Sequence, residues 1–180
     1  TGTARTANIF ILQYLVQGSL ATFKVGELEW SIQQIIDIFN DPIIQSMDEE
    51  KMTLFKCRIS HVFRDGIFAN IGESLHLLCA NTLAAIMNRT TPITNVELQF
   101  TMSELSHLIY ILSESAISLV EEVEVSALTF LRNSDFNIRT CAVYLLLSVA
   151  SATPIIAARF FRDALSNAKG QAKMLASFDG

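Results

Sequence analysis

The sequence predicts an all-α fold of stacked helical hairpins, and the hydrophobic spacing carries that prediction. Apolar residues recur at helical intervals in three consecutive segments between Val120 and Leu165, with short polar breaks at residues 133–135 and 151–154. Nowhere does the chain sustain the alternation of apolar and polar residues that is typical of a half-buried strand. Short amphipathic helices joined by tight turns must pack on one another to bury their apolar stripes.

The same spacing predicts about eight helices in the whole chain. They span residues 7–17, 27–40, 49–63, 67–87 and 101–118, followed by the three helices between residues 120 and 165. Turn residues separate them, and Pro is the strongest of these signals because it lacks a backbone N–H and disfavours helix in the preceding residue. The breaks are predicted at Gly18-Ser19, Asn40-Asp41-Pro42, Arg64-Asp65-Gly66 and residues 88–95.

Two helix starts follow from local chemistry. Asp48, Glu49 and Glu50 place negative charge where the backbone dipole of a helix beginning there is positive. Thr101 and Glu104 have the spacing of a capping box, in which each side chain accepts a hydrogen bond from the other residue's amide. A helix is therefore predicted to begin at residue 101.

The length favours one helical domain over residues 1–180. Because the first residue is Thr1, we expect the chain to be a segment of a longer protein. The polar residues 168–180 are predicted to be a frayed tail.

The composition is apolar for a domain of this size: 51% of the residues are hydrophobic, 17% are charged, and the mean hydropathy is +0.38. Such a chain has either a thick core or an apolar surface for a partner. The net charge of −5 and the lack of a basic cluster argue against direct nucleic-acid binding. Three widely spaced cysteines indicate free thiols in a reducing compartment, so we expect an intracellular protein, cytoplasmic or nuclear.

A membrane span is considered for residues 140–158, which carry no charge over nearly the length that a bilayer requires. Ser148, Ser151, Thr153 and Pro154 interrupt that stretch, and Thr-Pro is typical of a helix start. We therefore predict two buried helices here and no membrane association.

Two sets of side chains have the spacing of metal ligands. Glu73-x-x-His76 and Glu104-x-x-His107 resemble the ligand pairs of di-iron bundles, which also need single glutamates from two further helices. Cys57-x-x-x-His61 and His76-x-x-Cys79 offer an alternative zinc set. The plainer interpretation has Glu104 as a cap and Cys79 as a small core residue, so no cofactor is expected.

One repeat within residues 127–165 resembles an armadillo or HEAT repeat, a helical unit with Asp or Asn in its turn and small residues where helices cross. The matching positions are Leu128, Leu131, Asp135, Ile138, Ala142, Leu145 and Val149. The glycine that the family consensus has between its helices is absent here. The resemblance implies a stacked helical array whose long surface binds peptides or helices of other proteins.

No catalytic signature is present, since the sequence lacks Gly-x-Ser-x-Gly, His-Glu-x-x-His and a glycine-rich phosphate loop. We therefore expect a non-enzymatic protein–protein interaction domain that binds a partner helix or peptide in an apolar groove. Trp30 is the predicted anchor residue, and Glu121, Glu122 and Glu124 are a predicted acidic docking patch. The alternatives are a metal-binding bundle using Glu73, His76, Glu104 and His107, or a self-associating structural domain.

Overall fold

A computed structural model describes residues 25–69, 71, 73–159, 162–163 and 166, without the side chains of residues 25–27, 66–67 and 73–74. The predicted helix over residues 7–17 and the predicted tail over residues 168–180 lie outside the described residues.

The described residues are helical and contain no β-strand, which confirms the all-α class. The α-helices are α1 (Val25–Asp37), α2 (Pro42–Gln45), α3 (Glu49–His61), α4 (Glu73–Met87), α5 (Asn95–Leu112), α6 (Ile117–Phe130) and α7 (Phe136–Ala152). Ile38–Asn40 and Ser113–Ala116 are 3-10 turns, Val62–Phe68 is a π-helical segment, and residues 154–159 are helical again.

Aspartates begin three of these helices at the positions where breaks or helix starts were predicted. Asp41 accepts from the amide of Ile43 and precedes Pro42 at the first position of α2. Asp48 caps α3, and Asp135 caps α7 by accepting from the amides of residues 137 and 138. The break around Thr153 is confirmed as well, because α7 ends at Ala152 and a new helical segment follows.

The predicted start of α5 at residue 101 is wrong. The helix begins at Asn95 with a second, upstream capping box, in which the Thr94 hydroxyl accepts from the amide of Glu97 and the Glu97 carboxylate accepts from the amide of Thr94 at 2.7 Å. Thr101 and Glu104 lie inside the helix and are buried. The earlier start is favoured because it places Leu98 and Phe100 in the core.

The predicted turn at Arg64-Asp65-Gly66 is also wrong. The chain continues from α3 into the π-helical segment, where the amide of Ala69 donates to the carbonyl of Arg64 at 3.0 Å. The wider turn buries both Phe63 and Phe68, whose ring centroids are 4.6 Å apart. The helix predicted over residues 67–87 consequently begins only at Glu73.

The helices form two adjacent hairpins with further elements packed against them. Hairpin α4–α5 lies beside hairpin α6–α7, with α4 against α6 and α5 against α7. Helix α1 packs on α4 and α5, and α3 packs on α5. Helix α5 is therefore the element that most of the others contact, and it is buried on nearly every side.

No helix within the described residues combines the length and the apolar character that crossing a bilayer requires.

We predict that shortening a core side chain of α5 destabilises the whole domain. Leu105 is fully buried, so Leu105→Ala should lower the free energy of unfolding by about 3 kcal/mol through lost apolar burial and a residual cavity. Leu147 on α7 is 59% exposed, so Leu147→Ala should change the free energy of unfolding by less than about 0.5 kcal/mol. Urea denaturation measures both, and equal losses would contradict the packing described.

Candidate functional site

An open groove runs along α5 between α3 and α7. It comprises two hollows of about 410 and about 310 Å³ that share Arg64, Ser103 and Cys141 in their walls and are therefore continuous. We call this surface the α3–α7 groove. Its lining residues are Thr53, Lys56, Cys57, Ser60, His61 and Arg64 from α3 and the π-helical segment, Gln99, Phe100, Ser103, Ser106, His107 and Tyr110 from α5, and Cys141, Tyr144 and Ser148 from α7.

Polar contacts join α3 to α5 at one wall of the groove. The ammonium of Lys56 donates to the Gln99 side-chain oxygen at 2.9 Å, and the Ser60 hydroxyl donates to the Glu104 carboxylate at 2.8 Å. Because Lys56 and Ser60 are four residues apart on α3, they lie on one helix face. The lining of the groove is mixed, because hydroxyl, thiol and charged groups lie beside the Phe100 ring and the apolar carbon atoms of the other lining side chains.

Beside Ser60, a buried carboxylate is paired with a half-exposed cation. The Arg64 guanidinium donates to both oxygens of Glu104, at 2.8 and 3.0 Å. The Glu104 side chain is 0% exposed, whereas that of Arg64 is 37% exposed. The hydrogen bond to Glu104 raises the pKa of Arg64, and burial opposes the shift. Arg64 therefore neutralises the carboxylate on one side and presents its remaining surface to the groove.

The far end of the groove is held by hydrogen bonds between α5 and α7. The Ser106 hydroxyl lies 2.8 Å from that of Ser148 and 3.2 Å from the backbone oxygen of Tyr144. His107 stacks on the Phe68 ring with centroids 6.4 Å apart. Burial, and then the Arg64 charge, lower the pKa of His107 against the opposing effect of Glu104. The imidazole is therefore held towards its neutral form.

The three thiols differ in their access to solvent. Cys57 is exposed in the groove, and Cys141 faces the same groove but is partly buried, which raises its pKa. Burial in the core raises the pKa of Cys79 to about 12, so this thiol is an unreactive core residue, as the plainer interpretation of the sequence had it.

The predicted partner-binding residues lie away from the groove. Trp30 is 65% exposed on α1, and Glu121 and Glu122 are exposed on α6, where Glu122 accepts from Asn88. Glu124 is buried and paired with Arg159, so it is not part of an open acidic patch. Because α6 begins at Ile117, these glutamates also lie beyond its first turn, where the helix dipole acts.

The structure does not assemble the predicted metal-ligand sets. No group of three His, Cys, Asp or Glu side chains suited to a metal ion occurs among the described residues, and the side chain of Glu73 lies outside them. The Glu104 carboxylate is already paired with the Arg64 guanidinium. The His76 ring is hydrogen-bonded to the backbone oxygen of Phe68 at 2.9 Å. Cys79 is in the core, whereas Cys57 is exposed in the groove.

The groove residues were missed in the sequence although one signal was present. Lys56, Ser60 and Arg64 are spaced four residues apart, which indicates a polar stripe on one face of α3. Their partners, Gln99 and Glu104, are about 40 positions further along the chain, and no local pattern predicts such a pairing.

Comparisons of the chain with protein-family models, with curated proteins and with solved structures give no match.

We predict an asymmetric response to breaking the buried ion pair. Arg64→Met leaves a fully buried carboxylate without its cation and should cost about 3 kcal/mol of unfolding free energy. Glu104→Gln leaves the Arg64 cation without its carboxylate, but water can reach the cation. This variant should therefore cost only about 1 kcal/mol of unfolding free energy. Chemical denaturation compares the two variants. An equal or reversed order would contradict the burial described, and the double variant Arg64→Met/Glu104→Met should recover most of the loss.

We predict that His107 weakens the fold at acidic pH. Its pKa is lowered in the folded state from an unfolded value of 6.5, so protonation favours the unfolded chain as the pH falls below that value. Between pH 7.5 and 5, the urea midpoint of the wild type should fall further than that of His107→Gln. Identical pH profiles for the wild type and His107→Gln would exclude the effect.

Proposed function

We propose that this chain is a non-enzymatic scaffold domain that binds a helix or peptide of another protein in the α3–α7 groove. The groove itself carries the proposal, because it is an elongated, open channel with hydrogen-bonding groups along its floor and walls. Gln99 to Tyr110 on the floor corresponds to about 16 Å of helix, which is about three turns. Such a length suits a segment of polypeptide better than a small compact ligand.

The chemistry of the lining also favours binding over catalysis. The nearest approach to a catalytic set is Cys57, His61 and Asp65, spaced four residues apart, with the His61 ring 3.2 Å from the Asp65 carboxylate. All three residues are exposed. An exposed position does not shelter a developing charge from water, as catalytic sites generally do.

We further propose that the domain belongs to an armadillo- or HEAT-like array. Support comes from the two hairpins α4–α5 and α6–α7, which lie side by side. Within the second hairpin, Asp135 caps α7, and the residues that carried the resemblance in α7 are buried: Ile138, Ala142, Leu145 and Val149. The ion pair of Glu124 with Arg159 brings the chain after α7 back onto α6, as the next layer of such a stack would require.

Self-association is the second candidate, and exposed apolar residues on α7 favour it. Phe136, Tyr144 and Leu147 are all more than half exposed. Phe136 lies eleven positions before Leu147, a spacing that places both on one side of the helix. A second copy could bury this side, whereas the metal-binding alternative has no comparable support in the described residues.

The test uses a bulky side chain placed in the groove. Ser103 is exposed on the floor, so Ser103→Trp should obstruct the groove without disturbing the core. Ser118, exposed on α6 outside the groove, provides the matched control Ser118→Trp. We expect the wild type and Ser118→Trp, purified from the protein's own cells, to retain the same partner in near-equal amount, and Ser103→Trp to lose it.

Three results would count against the proposal. Retention of the partner by Ser103→Trp would exclude the groove as the binding site. A dimer in sedimentation analysis that Ser103→Trp leaves intact would favour self-association through α7. Iron or zinc in stoichiometric amount in the purified protein would favour the metal-binding alternative.

A further inference from the structure

We infer that the occupant of the α3–α7 groove is an acidic amphipathic helix of another protein, a conclusion that rests on the proposed function and specifies its partner. Three features of the groove carry it: an excess of positive charge, a space between two helices, and small side chains on the floor.

The charge of the groove is opposite to that of the chain. The protein has a net charge of −5, yet the groove is lined by Lys56 and Arg64 and by no aspartate or glutamate side chain. Lys56 donates to the neutral amide oxygen of Gln99 and, among the described residues, forms no ion pair. Glu104 neutralises Arg64 from beneath but has both oxygens engaged and is fully buried. A partner carboxylate therefore finds unsatisfied positive charge at Lys56.

The shape of the groove favours a helix. Helices α3 and α7 both pack on α5 but make at most marginal contact with each other, so a space remains above α5. Helices that pack directly on one another are about 8–10 Å apart, and small side chains at the contact permit the shorter distances. Ser103 and Ser106 on the floor and Cys141 on the wall are small. A helix lying on them would contact all three neighbouring helices.

The spacing of the two cations defines the pattern that the partner should carry. Lys56 lies on α3 and Arg64 lies eight residues further on in the π-helical segment, so the two positions are at most about 12 Å apart along the helix axis. Two acidic residues seven positions apart on a partner helix lie on one face at about 10.5 Å and match this separation. Tyr110 and Tyr144 at the far end of the groove offer apolar ring surface for a leucine on the same face.

The acidic start of α3 specifies the charge that the partner helix should carry at this end of the groove. A further open volume there is lined by Asp48, Glu49 and Glu50 and shares Thr53 and Cys57 with the groove. A helix that extends past Lys56 towards this end meets negative charge. A basic residue on the partner is therefore expected beyond the acidic residue that faces Lys56.

The test measures binding of three synthetic helical peptides of about 18 residues, a length sufficient for stable helix in a favourable sequence. They carry Glu, Gln or Lys at the same two positions seven residues apart and are otherwise identical. Fluorescence anisotropy gives the affinities, and protection of the exposed Cys57 thiol from alkylation locates the bound peptide. The Glu peptide should bind about tenfold more tightly than the Gln peptide and should lose that advantage at about 0.5 M salt.

Charge reversal on α3 provides matched variants. Lys56→Glu should weaken binding of the Glu peptide at least about tenfold and improve binding of the Lys peptide. Arg58 lies on the same helix, is exposed and does not line the groove, so Arg58→Glu, with an identical change of net charge, should alter binding less than about twofold. Lys56→Gln keeps a polar side chain beside Gln99 but removes the charge. This variant should bind the Glu peptide only as tightly as it binds the Gln peptide.

The outcomes separate this inference from the proposed function. Equal affinity of the three peptides with equal protection of Cys57 would overturn the acidic partner and leave a groove that binds helices. Absence of binding by all three would overturn it as well, even if the cellular partner is lost from Ser103→Trp. Equal effects of Lys56→Glu and Arg58→Glu on peptide affinity would indicate that long-range charge alone attracts the peptide, and would overturn a specific contact with Lys56. A dimer that dissociates in Lys56→Glu would identify a second copy as the occupant.

Discussion

The fold depends on satisfying the polar side chains of a helix that is buried on nearly every side. Helix α5 carries five polar or charged side chains that are buried, and four of them have a hydrogen-bond partner on another part of the chain: Glu97, Gln99, Glu104 and Ser106. The hydroxyl of the fifth, Thr101, has no partner among the described residues. A buried carboxylate without a cation or hydrogen-bond donor costs several kcal/mol, so segments that surround α5 have to supply partners at defined heights along the helix. Sliding a neighbour by one turn would separate these pairs. The polar contacts therefore determine the register in which the apolar surfaces meet.

Each pairing ties a different part of the chain to α5. Glu97 accepts from Asn40, in the 3-10 turn after α1, and from Arg89, in the loop after α4. Glu104 accepts from α3 and the π-helical segment, and Ser106 is hydrogen-bonded to α7. The wider π turn contributes to this arrangement, because it follows α3 directly and carries Arg64. The groove lies alongside these contacts, and its floor carries small residues such as Ser103 and Ser106.

Local chemistry accounts for what was predicted correctly and for what was not. The starts of α3 and α7 were predictable because an aspartate cap acts over three residues, a range that the sequence displays directly, whereas at Asp41 only a break was predicted and not the short helix α2. The start of α5 was mispredicted because the Thr-x-x-Glu pattern occurs twice, at Thr94 and at Thr101. The choice between them depends on which residues each start would bury in the core. Likewise, Arg64-Asp65-Gly66 has turn composition, yet packing of Phe63 with Phe68 keeps that segment helical.

The sequence by itself determined the helical class, the starts of α3 and α7 and the burial of Ile138, Ala142, Leu145 and Val149, because hydrophobic periodicity and capping are properties of neighbouring residues. Only the tertiary structure decided the roles of Glu104 and Lys56. Glu104 has the spacing of a cap or a metal ligand, but pairing across 40 residues makes it the buried partner of Arg64. Lys56 was unremarked in the sequence, since its contact with Gln99 arises only when α3 crosses α5. Long-range contacts of this kind depend on the packing of whole helices, which no short window of sequence contains.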